Sequence, residues 1–460
     1  MKKRRLSDWI LQKKRRKKEV KKRRLKILGK KEFTKGRAYQ EKVDFILKYD
    51  RRIYENSKFK LKSYLDDVGF FDNIDLSNKV VVSGSFSLSN NYEASILVIK
   101  KFIFSVYNVF YHRSKLIIDF SKCTQIDLGS LFLLQIFRIE MMEEFKKINS
   151  RLRYLKIEPE VEIIESENFE VNKVLLINGF ITKLKANKEL NELIPRSGIG
   201  FLRGSKRQIK HVDNKKSKIT TKIAEYVNNC LNDIDLKLTF EGRNKLDKII
   251  AEVLSNAEDH SPFEIWYATA NFLINKSEVN PIGELNLGFY NFGGSIYDGL
   301  METRDRNKEI FDYIDNHATK SLKIKSFSNF NKEDLFTLYA MQDGISRLKF
   351  EKESRGSGTM SFINSFFAIG DFEDESRNLF PSLKVYTGKT LLICNKKYKP
   401  QLTNDSYKLS LNSENDLELP PDPSNLIQLK SKLPGTMLSV KVFLNKKHLL
   451  NKINNGKHTK

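Results

Sequence analysis

The chain has 460 residues, 40% hydrophobic and 30% charged, with a formal net charge of +25; that is enough length for two or three domains and a substantial core. No stretch of about 18 apolar residues is present, so no transmembrane helix is expected, and no apolar segment follows the basic N-terminus, so it is not a secretory signal. The three cysteines, Cys123, Cys230 and Cys394, are far apart and form no CxxC pair, which argues against a disulfide framework or a structural zinc site and fits a reducing cytoplasm.

Residues 1–41 read as a basic arm. Between Met1 and Arg37 there are 19 Lys and Arg against three Asp and Glu, so +16 of the +25 lies in this tail. Such a run repels itself and forms no core, so the arm is expected to be disordered or only nascently helical. The density of cations in residues 2–37 fits counterion release on nucleic acid, RNA or DNA, by phosphate contact without sequence readout. Trp9 is a lone aromatic, so no base-stacking platform is indicated. An anionic membrane surface and a plain solubilising tail are the other readings of the arm.

Residues 42–194 read as a first α/β domain. "KVVVSGSFSL" (79–88) is β-branched and bounded by turn residues, as a strand is. Residues 92–111 have helical apolar spacing, and "KLIIDFS" (115–121) is a short buried strand. A turn at Asp127–Gly129 then opens a long amphipathic helix. "YLKIEPE" (154–160) reads as a further strand, and "VNKVLLINGF" (171–180) as a short helix capped at Gly179. The Gly- and Lys-rich stretch 195–218 reads as a linker. Residues 219–445 form a second α/β domain, and residues 446–460 a polar tail.

The pattern "LIIDFSKCTQIDLGSLFLL", with the later "VNKVLLINGF", resembles the STAS domain of anti-anti-sigma factors. The resemblance implies a strand, a tight turn bearing Asp, then a helix, in a domain that docks a protein partner or sits against its neighbour. Members that act as switches carry a phosphorylatable Ser directly after the turn's Asp pair; here Leu128 and Gly129 stand there and Ser130 comes one residue late.

The second domain carries the chemistry. "FEGRNKLDKIIAEVLSNAEDHS" (240–261) is a long amphipathic helix in which Glu252, Asn256 and His260, each four apart, form one polar stripe beside the apolar one. "GELNLGFYNFGGSIYDGL" (283–300) is an alternating strand running into adjacent glycines, which let backbone approach a ligand closely. Arg355-Gly356-Ser357-Gly358-Thr359 opens an amphipathic helix, leaving free N–H groups and a positive dipole end that suit phosphate. "LPGTMLSVKVFL" (433–444) puts Gly435-Thr436 at the head of an alternating strand.

In this order the four stretches resemble the motifs of the GHKL ATPases, the ATP-binding fold shared by gyrase, MutL and histidine kinases. "EVLSNAEDH" fits the first motif, E-x-x-x-N-A-x-x-H/K; "NFGGS" fits the second, D-x-G-x-G, in part; "RGSGT" fits the third, and Gly435-Thr436 the closing G-T. The resemblance implies a two-layer α/β sandwich that binds ATP with Mg²⁺. Asn256 would hold the metal, and Glu252 would orient or deprotonate a water. His260, Arg355, Gly356, Gly358 and Thr359 would meet the phosphates. Asn291, Gly293, Ser295 and Thr436 would line the base pocket. Asn291 stands where the family has an Asp that accepts from the adenine amino group; an amide oxygen can accept that bond without charge assistance. Ser295 stands at the family's second glycine. Between the second and third motifs the family carries an ATP lid, here with Gly344 as a hinge.

Histidine-kinase activity is not expected, because neither His112 nor His211 lies on a dimerising helix, and only a short segment follows "LPGT", too short for a gyrase-type transducer. The expectation is a cytoplasmic Mg·ATP-binding regulatory protein, a slow ATPase whose lid state gates a partner, tethered to nucleic acid by its arm. An anti-sigma-type Ser/Thr kinase and a non-catalytic nucleotide-binding scaffold stay open.

Overall fold

The computed structural model describes Glu19 and residues 78–112, 115–151, 160–184, 198–205, 215–259, 261, 264–274, 280–306, 308–342, 358–403 and 406–457. Apart from Glu19, the basic arm lies outside these residues, and so do residues 458–460 of the polar tail. The protein is mixed α/β, with parallel pairing in its first half and antiparallel pairing in its second.

The stretch expected as one strand, 79–88, is two: β1 (Lys79–Val81) and β2 (Gly84–Phe86). Gly84 breaks it at φ +64, a left-handed conformation that glycine adopts without a Cβ clash. The chain then leaves β3 (Leu116–Asp119), the parallel neighbour of β1, and pairs with β4 (Cys123–Ile126). Parallel neighbours need a crossover, and α1 (Tyr92–His112) supplies the first. α2 (Leu128–Arg151) leads on to β5 (Val161–Ile164), parallel to β3. The last strand was expected at 154–160; it falls at Val161–Ile164, and 154–159 lie outside the described residues. α3 (Phe169–Ile177) starts at Asn168, whose side chain accepts from the Glu170 N–H, and is closed by Gly179 at φ +67.

The stretch expected as a linker, 195–218, contains a strand. β6 (Gly198–Ser205) is the edge of a five-stranded antiparallel sheet ordered β6-β7-β8-β12-β9, and helix α4 (Lys215–Asn232) starts before the linker's expected end. The remaining members are β7 (Ile265–Ile274), β8 (Ile282–Asn291), β9 (Ser382–Cys394) and β12 (Leu426–Asn445). A small hairpin, β10 (Gln401–Thr403) and β11 (Ser406–Lys408), sits between β9 and β12.

Strand alternation sorts the sheet's side chains. Trp266, Ala268, Ala270 and Phe272 of β7, and Leu285, Leu287 and Phe289 of β8, face a helix layer. That layer holds α4, α5 (Phe240–Asp259), α7 (Lys308–Leu322), α8 (Lys332–Ala340) and α9 (Gly358–Gly370), with the short α6 (Ile296–Glu302) beside them. α10 (Lys446–Lys457) follows β12, where Lys452 and His448 bond Asp371.

The other face of the sheet is covered by the first unit. Tyr267, Tyr290, Phe292, Tyr386 and Met437 share one buried cluster with Leu131, Phe132 and Phe137 of α2 and Tyr92 of α1. Phe137 meets Phe292 edge to face at 5.7 Å, and Tyr92 stacks on Tyr386 at 6.1 Å. Each such aromatic contributes about 1.5–3 kcal/mol by leaving water. Burial on both faces explains why "IWYATANFLI" is a nearly continuous apolar run.

Polar contacts seal the seam. Glu93, in the first turn of α1, accepts from the Lys430 and Ser431 N–H groups and from the Ser431 hydroxyl, at 2.8, 3.2 and 2.6 Å. Arg203 of β6 reaches the buried Glu140 of α2 at 2.9 Å.

Candidate functional site

Two of the four motif stretches, the second and the closing one, can be placed relative to one another by strand register. Asn291 ends β8. Its cross-strand partners are Trp266 on β7 and Thr436 on β12, and Thr436 in turn pairs with Thr387 on β9. Opposed residues of an antiparallel pair have Cβ atoms about 5 Å apart. By alternation, all four side chains point toward the helix layer. They form one polar row, Trp266–Asn291–Thr436–Thr387, across the end of the sheet.

Gly435-Thr436 was expected at the head of a strand. It lies within β12, where pairing with β9 shifts between Gln428 and Leu433 and again between Leu433 and Thr436. Gly435 has φ +120, and a Cβ there would collide with the Asn291 carbonyl oxygen. The closing motif's glycine is thus required where two strands press together at the row.

The helices end at the same place. At the C-terminal end of α5, Glu258 accepts from the Trp266 indole N–H at 2.9 Å and pairs with Lys216 of α4 at 2.6 Å. Ser261, just beyond the helix, donates to the Phe292 carbonyl at 2.6 Å. α9 is oriented by two contacts. Phe362, near its start, meets Phe289 at 6.1 Å, and Gly370, at its end, has room only for hydrogen against Val442. Val442 pairs with Leu285, far down β8, whereas Phe289 is two residues from Asn291. The N-terminus of α9, at Gly358, is therefore directed toward the row.

Glu252 and Asn256 are half-buried on α5, about two turns and one turn before its end. His260, Arg355 and Gly356 lie outside the described residues. Gly358 and Thr359 are the first two residues of α9. Gly293, at φ 148, follows β8 in a conformation that favours glycine. Ser295 caps α6: its oxygen accepts from the Asp298 N–H at 3.0 Å, while Asp298 accepts from the Ser295 N–H. Thr436 shares a hydrogen bond with Thr387 at 3.0 Å, and Thr387 also accepts from the Ile296 N–H.

One atom of the row lacks a partner. Asn291 is only 5% exposed, and its Nδ2 is buried without a hydrogen bond. An unpaired buried donor costs about 1–3 kcal/mol.

The flank of the row is charged. Lys432 pairs with Asp298 at 2.8 Å. Burial works to raise the Asp298 carboxyl, but Lys432 and the Ser295 N–H outweigh it and hold it below its ordinary value. Burial raises the neighbouring Glu333, which accepts from the Lys389 N–H at 2.8 Å.

The segment assigned by resemblance to a lid is packed as far as Gln342. Ile314 and Ala318 of α7 and Leu335, Phe336 and Leu338 of α8 are core residues. Gly344, the expected hinge, lies outside the described residues. In the first unit, Asp127 organises the turn before α2, accepting from the Ser87 hydroxyl and the Ser89 and Ser130 N–H groups. Ser130 is fully buried and its oxygen accepts from the Leu88 N–H at 2.7 Å, so its hydroxyl is closed to a kinase in this conformation.

Sequence reading missed Glu258, Ser261, Trp266, Thr387 and Lys432. Only the Ser295–Asp298 capping box was detectable from local spacing; the other contacts join positions brought together by the fold. Among the described residues, no cluster of three or more His, Cys, Asp and Glu is placed to hold a metal ion, and no helix is long and apolar enough to cross a membrane. Compared with known proteins, the chain matches no family model, no curated protein and no solved structure.

Proposed function

We propose that the chain is a Mg·ATP-binding regulatory protein of GHKL type, whose first unit resembles a STAS domain and whose basic arm contacts nucleic acid. The observation that carries the reading is the convergence at one sheet end of Asn291, Gly435-Thr436, the end of α5 and the start of α9. These stretches are widely separated in sequence, and each had been singled out from sequence by the same motif set.

The donor set fits a nucleotide in kind. Asn291 presents an unpaired, buried Nδ2 donor, and the N-terminus of α9 turns its positive dipole end toward the same end of the sheet, as an anion requires. Magnesium takes few protein oxygens and completes its shell with water and phosphate; the Asn256 amide is the neutral oxygen suited to it. Magnesium, when bound, neutralises phosphate charge. Glu252, one turn earlier, would be the residue to accept a proton from water. The base pocket lacks the charged Asp of the family, so a neutral amide holds the adenine; the expected activity is slow ATP hydrolysis. The first unit grips β12 at Lys430–Ser431, a few residues before Thr436, so that nucleotide at the row and the first unit act on the same strand.

Thermal melting tests this. Mg·ATP at a hundred times its dissociation constant stabilises by about 2.7 kcal/mol, so the melting temperature should rise with Mg·ATP and not with CTP. An unchanged melting temperature at millimolar Mg·ATP contradicts the reading. For the arm, nucleic-acid affinity should fall steeply with salt, and removal of residues 2–37 should abolish it; affinity unaffected by the deletion rules the arm out.

A further inference from the structure

We propose that the turn after α7 is a docking tip for an anionic lipid surface. The proposal is independent of the nucleotide reading.

α7 ends at Leu322, and a single 3-10 turn, Lys325–Phe327, leads on toward α8. The connection is anchored on both sides. Ser321 is buried and shares a hydrogen bond with the Tyr339 hydroxyl at 3.1 Å, and Phe327 is buried with its ring edge to face against Phe330. The Lys323, Ile324 and Phe327 N–H groups donate to the carbonyls of Lys320, Ser321 and Ile324. The shape of the turn is therefore set before any partner arrives, which lowers the ordering cost of binding. Leu322, Lys323, Ile324, Lys325 and Ser326 are all exposed, Leu322 at 37% and Ile324 at 49%. Such a run of exposed residues between two buried anchors is a projecting tip, without walls to hold a helix or a peptide.

Charge decides what this tip meets. From Asn316 to Lys332 the chain carries four lysines and no Asp or Glu. Lys320, Lys323 and Lys325 are exposed and make no ion pair among the described residues, and the preceding carboxylate, Asp315, pairs with Lys332. Lys320 and Lys323 complement the C-terminal dipole end of α7, but that role calls for no exposed aliphatic side chains between them. Aliphatic side chains flanked by unpaired lysines match a lipid headgroup layer. The ammonium groups reach the phosphates while Leu322 and Ile324 enter the acyl boundary, and each lysine is drawn to the negative potential of the leaflet. Nucleic acid would leave the two aliphatic side chains unused, and the tip offers no aromatic ring on which a base could stack.

The test uses the full chain with an environment-sensitive fluorophore at Ser326→Cys or, as a control, at Lys101→Cys, exposed on α1 across the sheet. Cys123, Cys230 and Cys394 are buried, so the label goes to the introduced thiol. Vesicles of mixed phosphatidylserine and phosphatidylcholine should brighten the label at 326 and shift it to the blue. Vesicles of phosphatidylcholine alone should not, and the label at 101 should respond to neither. Leu322→Ser with Ile324→Ser changes two exposed positions and should leave the melting temperature unchanged. It should raise the lipid concentration needed for the response at 326 about tenfold, because the exposed surface lost approaches that of one aliphatic side chain. Attachment through the basic arm alone would leave the label at 326 unchanged while the protein co-sediments with the vesicles, and that result overturns the proposal. So does an equal response at 326 and 101, a response unaltered in the double variant, or a response to duplex DNA in place of vesicles.

Discussion

Replacing Glu93 tests whether the first unit and the five-stranded sheet are one body. Its carboxylate accepts three hydrogen bonds, from the Lys430 N–H, the Ser431 N–H and the Ser431 hydroxyl, at 2.8, 3.2 and 2.6 Å. A hydrogen bond to a charged group contributes about 1.5–3 kcal/mol when buried. Glu93 is half-buried and water can reach the amides, so the three together amount to about 2–3 kcal/mol rather than their sum. Glu93→Ala should lose that amount, and Glu93→Gln, which keeps an acceptor but no charge, about half. Urea unfolding followed by tryptophan fluorescence reads Trp266, deep in the sheet. Far-UV circular dichroism reads the whole chain. Both signals should shift together, because Tyr267, Tyr290 and Tyr386 share one core with α1 and α2. A change below about 0.5 kcal/mol, the range of inert surface substitutions, would refute the reasoning. So would a fluorescence midpoint that stays put while the dichroism moves.

Three other substitutions probe the sheet end. Glu258→Ala strands the buried Trp266 indole N–H and the Lys216 ammonium, and should cost about 2–4 kcal/mol in denaturant unfolding, with Glu258→Gln costing less. Gly435→Ala forces a Cβ against the Asn291 carbonyl at φ +120 and should cost at least about 2 kcal/mol, whereas Gly242→Ala on α5 should be near neutral or stabilising; equal effects would show that the β8–β12 approach is not tight. Asp298→Asn should destabilise by about 0.5–1 kcal/mol at neutral pH, the partial exposure of both partners limiting the ion pair. Burial raises this carboxyl, but Lys432 and the Ser295 N–H bring it below the ordinary 3.8. Its stabilisation is therefore present above 3.8 and lost as pH falls through the lower folded value. Melting curves should show the gap between wild type and variant closing in acid; a gap that widens there contradicts the assignment.

The long elements were readable from local pattern, and the joins between them were not. α5 follows from Leu246, Ile249, Ile250, Val253, Leu254 and Ala257, all buried at helical spacing. β8 follows from its alternation, and the end of α3 from Gly179. β6 was taken for linker because "GIGFLRGS" has three glycines. Two of them have tertiary causes: Gly204 leaves room for the Trp266 ring, and Gly198 lies against the Ile177 and Ala270 carbonyls. β4 was missed because only one of its four residues is buried, so no apolar run marks it. The site shows the same division. Asn291 and Thr436 were singled out separately by motif, but the row they belong to depends on strand register, and Thr387 and Glu258 join them only through the fold. Ser295 was singled out by motif position, and its local role as the cap of α6 follows from its spacing to Asp298.

The most direct measurement is Mg·ATP binding to the full chain by calorimetry, wild type beside Asn256→Ala, each with and without Mg²⁺. Asn256 is half-buried on a helix that is anchored independently by Glu258, so the alanine variant should fold. Wild type is expected to bind at micromolar to low-millimolar concentration only with Mg²⁺, and Asn256→Ala is expected to lose binding at least tenfold, about 1.4 kcal/mol. Wild type that binds no nucleotide, or a variant that binds as wild type does with Mg²⁺ making no difference, would contradict the assignment of residues 252–256 as a metal–phosphate helix.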